Sequence, residues 1–269
     1  MRNRSIRQVY LVLAAALSSG CITSGNYHSA KVLEPGESSF GVTASVFSVG
    51  TPDGGRIALP NLIPEITYHV GVADNLEIGG RVALGSLALG LDAKYRFYQS
   101  DSLHLAVAPG LDYQAAFVVQ GITAKLPVVA TFDLSPNFGV NIAPIGTFTR
   151  YSETDDDFGD LGGSLFGIGG ALSFDIRGET FVLRPGVEYT RYTARIDSDS
   201  IDDFDAVDVF SFFIHGSFIR GREKQQLNRI ENKLDRVLDE RQPRDPNYAP
   251  YPPPAQNPPP PPPRQNPYL

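Results

Sequence analysis

The chain is poor in the residues on which most covalent and metal chemistry depends. It has one cysteine, Cys21, so no intramolecular disulfide can form and no cysteine-based metal cluster can be built. Its four histidines, His28, His69, His104 and His215, show no close metal-ligand spacing. No motif for a nucleotide, haem or structural zinc occurs, so no cofactor is expected. Beyond the N-terminus no apolar run is long enough for a membrane-spanning helix. Positive charge is also scarce. The formal net charge is −7, and removing the three positive charges Arg2, Arg4 and Arg7 leaves −10. A chain this acidic disfavours nucleic acid as a partner.

Glycine and proline are plentiful, 26 and 22 residues, which implies many turns and a proline-rich segment. The clearest local pattern is Leu87-Ala88-Leu89-Gly90-Leu91-Asp92-Ala93-Lys94-Tyr95-Arg96-Phe97-Tyr98. Odd positions carry Leu, Leu, Leu, Ala, Tyr and Phe, whereas Asp92, Lys94 and Arg96 fall on even ones. Successive side chains of a strand point to opposite faces, so this is a strand with one apolar and one charged face. A helix would scatter the three charges and leave no apolar stripe.

Nine further segments repeat the design. Apolar positions include Val42 and Val46 in the first, Ile66 and Tyr68 in the second, and Ile78 and Val82 in the third. Leu105 and Leu111 mark the fifth, Ile122 and Leu126 the sixth, and Ile142 and Phe148 the seventh. Ile168 and Leu172, Leu183 and Val187, and Phe212 and Ile214 mark the last three. Alternation alone does not say which face is buried. A water-soluble sandwich hides the apolar face, whereas a membrane barrel turns it to lipid.

Three features favour the barrel. The strands have the length that a tilted bilayer crossing needs. Their polar faces mix both signs of charge with small residues, as in a narrow packed lumen. Short connections at 73–75, 98–102, 134–137 and 177–180 alternate with a set that includes long ones around 50–61, 152–164 and 195–206. Apolar-face aromatics gather at both strand ends: Phe97, Phe132, Phe138, Phe174, Phe181 and Phe218 on the short-turn side, Tyr113, Phe117, Phe148, Phe166 and Tyr189 on the other. The pattern resembles the small bacterial outer-membrane β-barrels over residues 38–221. The expected fold is therefore all-β, an antiparallel up-and-down transmembrane barrel of about ten strands, followed by a short helix and a disordered Pro-rich tail.

The flanking segments fit export. Residues 1–21 read as a signal peptide, with Arg2, Arg4 and Arg7, an apolar core at 9–17, and Ser18-Ser19-Gly20 before Cys21. This resembles a bacterial lipoprotein signal, which implies lipidation of Cys21. Ser18 stands where that family has an aliphatic residue, and an ordinary signal peptide with a chance cysteine is the alternative. Residues 22–37 are expected to be a periplasmic tether. In residues 222–242, Leu227, Ile230, Leu234 and Val237 recur at helical steps, as in an amphipathic periplasmic helix that either caps the barrel mouth or forms a small oligomerisation coil. Residues 243–269 form the proline-rich tail, either a spacer toward the cell wall or a periplasmic protein, or simply disordered.

Three functions remain open at this stage. A barrel of ten strands has little free lumen, which favours a non-enzymatic structural or surface-interaction role with outer-membrane lipid as its surroundings and homo-oligomerisation allowed. An enzyme acting on lipid or peptide at the rim would draw on His69, His104 and His215 with Glu65, Asp112 and Asp175. Some small barrels resembling omptins or lipid A acyltransferases work this way, but neither motif matches here residue by residue, and no catalytic residue is assigned. A soluble lipid-binding lipoprotein is the third. Asp155, Asp157, Asp199 and Asp203 lie in acidic loops that offer at most a weak divalent-cation site, because ordered calcium-loop spacing is absent.

Overall fold

In the computed structural model the described residues are 28–50, 56–83, 88–116, 119–153, 163–196, 206–221 and 233–234. Period-two alternation of β-branched and aromatic residues produces eleven strands, paired side by side in one antiparallel sheet. They are β1 (Ser38–Gly50), β2 (Arg56–Ala73), β3 (Leu76–Ala83), β4 (Ala88–Gln99), β5 (Leu103–Val107), β6 (Gly110–Ala116), β7 (Val119–Ser135), β8 (Phe138–Glu153), β9 (Gly163–Arg177), β10 (Phe181–Ile196) and β11 (Val207–Arg220). β5 and β6 are two halves of one wall strand, both lying between β4 and β7. Pro109 interrupts the ladder because it has no N–H, but its carbonyl accepts from Ala93 N–H at 3.0 Å. Ala108 N–H donates to the Pro127 carbonyl at 3.0 Å on the other side. The wall thus has ten strands.

The wall closes where β1 pairs with β11, in register from Ser38↔Arg220 to Val49↔Val209. Closure leaves no edge strand with unpaired N–H and C=O groups. The first and last strands begin and end at the same rim as the short turns 74–75, 100–102, 136–137 and 178–180. At this rim Arg96 donates to the Asp74 carbonyl at 3.0 Å and to Asn75 Oδ1 at 3.0 Å, which ties down the tightest turn.

The polarity is inverted relative to a water-soluble protein. Leu91 is 71% exposed and Ile168 79%, with Phe40, Leu89, Ile122, Leu126, Phe212, Ile214 and Phe218 also outside. Thr43, Glu65, Asp112, Thr131, Asp175 and Ser211 are buried inside. A closed barrel with an apolar outer surface and a charged lumen is what a bilayer selects, because every backbone polar group is paired and only apolar side chains meet lipid. Phe148 packs on Phe166 with centroids 4.8 Å apart, and Phe181 on Phe218 at 5.0 Å, so each rim carries outward aromatic pairs.

The strands differ from the sequence reading at one place above all. β2 starts at Arg56, ten residues before the alternating run, so the connection expected around 50–61 shortens to 51–55. Pro60 and Pro64 break the alternation, and the ladder with β1 absorbs the break by a register shift between Thr43 and Ser45. Residues 224–269 form a separate unit. Of the helix expected over 222–242, only Lys233 and Leu234 are described, and both are helical. The rest of it, the Pro-rich tail and the signal peptide lie outside the described residues.

Candidate functional site

The lumen is the site, and most of it is occupied. Its first component comes from outside the wall. Residues 28–37, expected within a tether, run along the inner face of the barrel from mid-lumen to the short-turn rim. Ala30 is fully buried against Ala106, Val129, Ala143, Ile145 and Ala171, small and branched side chains that leave room for a passing backbone. Its N–H donates to Thr131 Oγ1 at 2.7 Å, and the Leu33 N–H donates to Glu77 Oε2 at 3.0 Å. Lys31 pairs with Asp133 at 2.7 Å. At the rim, Gly36 N–H donates to the Gly71 carbonyl at 3.1 Å, and Gly71 N–H to the Glu37 carbonyl at 3.0 Å. Gly36 turns the chain into β1 at φ 86°, a left-handed conformation that suits glycine.

Ionic groups from the wall surround this segment. Near the short-turn rim Asp133 also receives Arg177 at 2.7 Å and His104 Nε2 at 3.0 Å. Asp175 is held by Arg184 at 2.5 Å, by Asn141 Nδ2 at 2.8 Å and by Arg177 at 3.4 Å. Lys94 pairs with Glu77 at 3.0 Å. Farther in, Arg81 donates through Nε to Asp112 Oδ1 at 2.7 Å and reaches Glu65 at 3.5 Å, while Lys125 meets Asp112 at 3.2 Å. The buried carboxyl of Glu188 faces this group. For the paired groups, the mutual attraction offsets the cost of burial.

Toward the long-loop rim the lumen turns apolar. Phe47, Val49, Leu165, Tyr192 and Val209 pack together, with Tyr151 and Val207 against them. The segment with the ionic groups around it therefore fills one part of the barrel, and an apolar layer follows toward the long-loop rim.

The sequence places His69, His104 and His215 inside correctly, along with Glu65, Asp112 and Asp175. It does not give their partners. His104 pairs with Asp133, and His69 lies 3.3 Å from Asp92. His215 Nδ1 is 2.8 Å from Thr43 Oγ1. Cys21, Asp155, Asp157, Asp199 and Asp203 lie outside the described residues. The histidine that sequence reasoning missed is His28, which sits 3.7 Å from Asp92 in the lumen. Nothing in its sequence context marks it, because only the folding-in of residues 28–37 brings it there.

These features define a class: a closed antiparallel membrane-type β-barrel whose lumen is occupied by its own N-terminal segment and by paired charges. No family model matches the chain, and no curated protein sequence matches it. Among solved structures it is similar to Neisserial surface protein A at 11% identity, over 68% of this chain and 98% of that one, with a TM-score of 0.38. It is also similar to Ail, the attachment invasion locus protein of Yersinia pestis, at 11% identity over 69% and 99%, TM-score 0.30. The outer membrane protease OmpT from Escherichia coli matches at 8% identity over 71% and 99%, TM-score 0.36. Such distant likenesses say nothing of a site, and the class rests on the closed ladder and the inverted polarity.

Proposed function

We propose that this chain is a sealed, non-enzymatic outer-membrane barrel, anchored by lipid at Cys21, that serves as a structural or surface-interaction element of a Gram-negative envelope. The observation that supports it most is the burial of residues 28–37 in the lumen. A pore needs a continuous polar path, and here the segment, the ion pairs and the Phe47–Tyr192 layer occupy it. Ser38 and Arg220 share the short-turn rim, which in outer-membrane barrels faces the periplasm. The helix expected at 222–242 and the expected tail at 243–269 would then extend toward the cell wall or a periplasmic protein, and self-association through that helix would make a homo-oligomer.

Conductance tests the sealed reading. The purified full chain in a planar bilayer is expected to give no discrete opening steps. A variant in which residues 28–35 are replaced by a Gly-Ser linker and Phe47 and Tyr192 by alanine, so that both the segment and the apolar layer are opened, is expected to conduct. Steady large-step conductance of the unaltered protein would refute it. For the non-enzymatic part, His104→Ala and His215→Ala should leave every envelope phenotype of the chain intact, whereas a lost hydrolase or transferase activity in a still-folded barrel would overturn it.

A further inference from the structure

We propose that His28, His69 and Asp92 form a transition-metal site of the zinc type, which fastens the N-terminal segment to the barrel wall. The three residues come from three separate places: the inserted segment, β2 and β4. One ligand atom from each lies within 4.8 Å of the other two. Two of the separations are known individually. His69 Nε2 is 3.3 Å and His28 Nε2 is 3.7 Å from the same atom, Asp92 Oδ1. Ligands at roughly 2.0–2.1 Å from a tetrahedral zinc ion stand about 3.3 Å apart, so small rotations of the His28 ring complete the set.

Neither His69 Nε2 nor Asp92 Oδ1 has a hydrogen-bond partner of good geometry, although both atoms are buried. Leaving polar atoms so is costly, and although the lumen holds others, such as Ser211 Oγ, this pair stands apart because a second imidazole, that of His28, lies beside it. The wall is also shaped for the approach. His69 and Asp92 both pair with Gly79, one on each side of it. A methyl group at Gly79 would overlap the His69 ring, so the missing side chain is what lets imidazole lean across β3 toward the carboxylate. The imidazoles of His28 and His69 stand edge to face, with centroids 5.6 Å apart and planes at 85°.

The donor set selects the metal. Two imidazole nitrogens and one carboxylate oxygen suit Zn²⁺, Cu²⁺ or Ni²⁺ and are poor for Ca²⁺ and Mg²⁺, which take oxygen shells. The neighbouring ammonium of Lys94 is held by Glu77 at 3.0 Å, which offsets its repulsion of a cation. A cavity of about 110 Å³ adjoins all three residues and leaves space for a water as fourth ligand. The inference is independent of whether the barrel conducts, since metal uptake and conductance are read separately.

The test uses the full chain in detergent micelles, stripped with EDTA, desalted and titrated with Zn²⁺ by calorimetry. One equivalent is expected to bind at micromolar concentration or tighter, and a tenfold excess of Ca²⁺ should leave the isotherm unchanged. His28→Ala lies outside the wall and should preserve the folded, heat-modifiable barrel while weakening Zn²⁺ by at least about 100-fold, more than loss of an outer-shell partner costs. Gly79→Ala should weaken it as well. Absence of binding below millimolar Zn²⁺, binding unchanged by His28→Ala, or displacement by Ca²⁺ would each overturn the proposal.

Discussion

Asp175 holds two arginines and an amide on one carboxylate at 1% exposure, so its substitution isolates what a lumen charge is worth. Asp175→Ala leaves Arg184 buried without its counter-charge and is expected to destabilise the barrel by roughly 3–5 kcal/mol. Asp175→Asn, which keeps the contact with Asn141, should cost less. Denaturant titration of refolded protein in lipid vesicles measures both, and equal stability of Asp175→Ala and the parent would show that the pair contributes nothing. On the other face, Ile168→Lys puts a charge into the apolar belt and should cost about 2–4 kcal/mol in the same assay if the site lies near mid-bilayer. A neutral or stabilising effect would mean that this surface meets water. The face of each of these residues was legible in the sequence, because period-two alternation sorts side chains into two faces, and strand length, turn lengths and aromatic placement say which of them meets lipid. The partners were not. His104 meets Asp133 across β5 and β7, and His69 meets Asp92 across the side-chain-free Gly79. Both pairings depend on register, which a local pattern does not carry.

Among the elements, the strands that alternate cleanly read at once, and those with prolines do not. The first part of β2, with Pro60 and Pro64, and the break at Pro109 keep their ladders through tertiary pairing that local propensity does not encode. The inserted segment was illegible for another reason. Its residues are mixed in character and carry no periodicity, and their burial rests on contacts to β3, β4 and β7 that no local pattern encodes. In a Cys21→Ser background, Ala30→Cys is expected to resist a membrane-impermeant maleimide in folded micelles and to react after boiling. Thr180→Cys, on an exposed short turn, should react in both states. Fast labelling of Ala30→Cys in the folded barrel would place the segment outside.

For the whole molecule, the expectation is heat-modifiability. Extracted protein should run differently on a gel when left unheated than when boiled, because a closed barrel resists detergent until its ladder melts. A Cys21→Ser form should still fractionate with membranes, since the apolar belt holds it there without a lipid. A form fully recovered in water without detergent would be incompatible with the lipid-facing surface. The inverted polarity explains why composition was a poor guide to architecture while its spacing along the chain was a good one.

The order of the chain gives the inserted segment a temporal role. The polar contacts of His28, Ala30, Lys31 and Leu33 go to β3, β4 and β7, all made before the strands that close the wall. β1 has only β2 beside it until β11 arrives some 170 residues later. Residues 28–37 are thus present from the outset, and the growing sheet has something to curl around before it can meet its own first strand. The expected consequence is that the segment serves as a mandrel during assembly and remains behind as filling. Chains lacking it should reach the heat-modifiable form more slowly, in a time course of refolding into lipid vesicles, even where their final yield is unchanged.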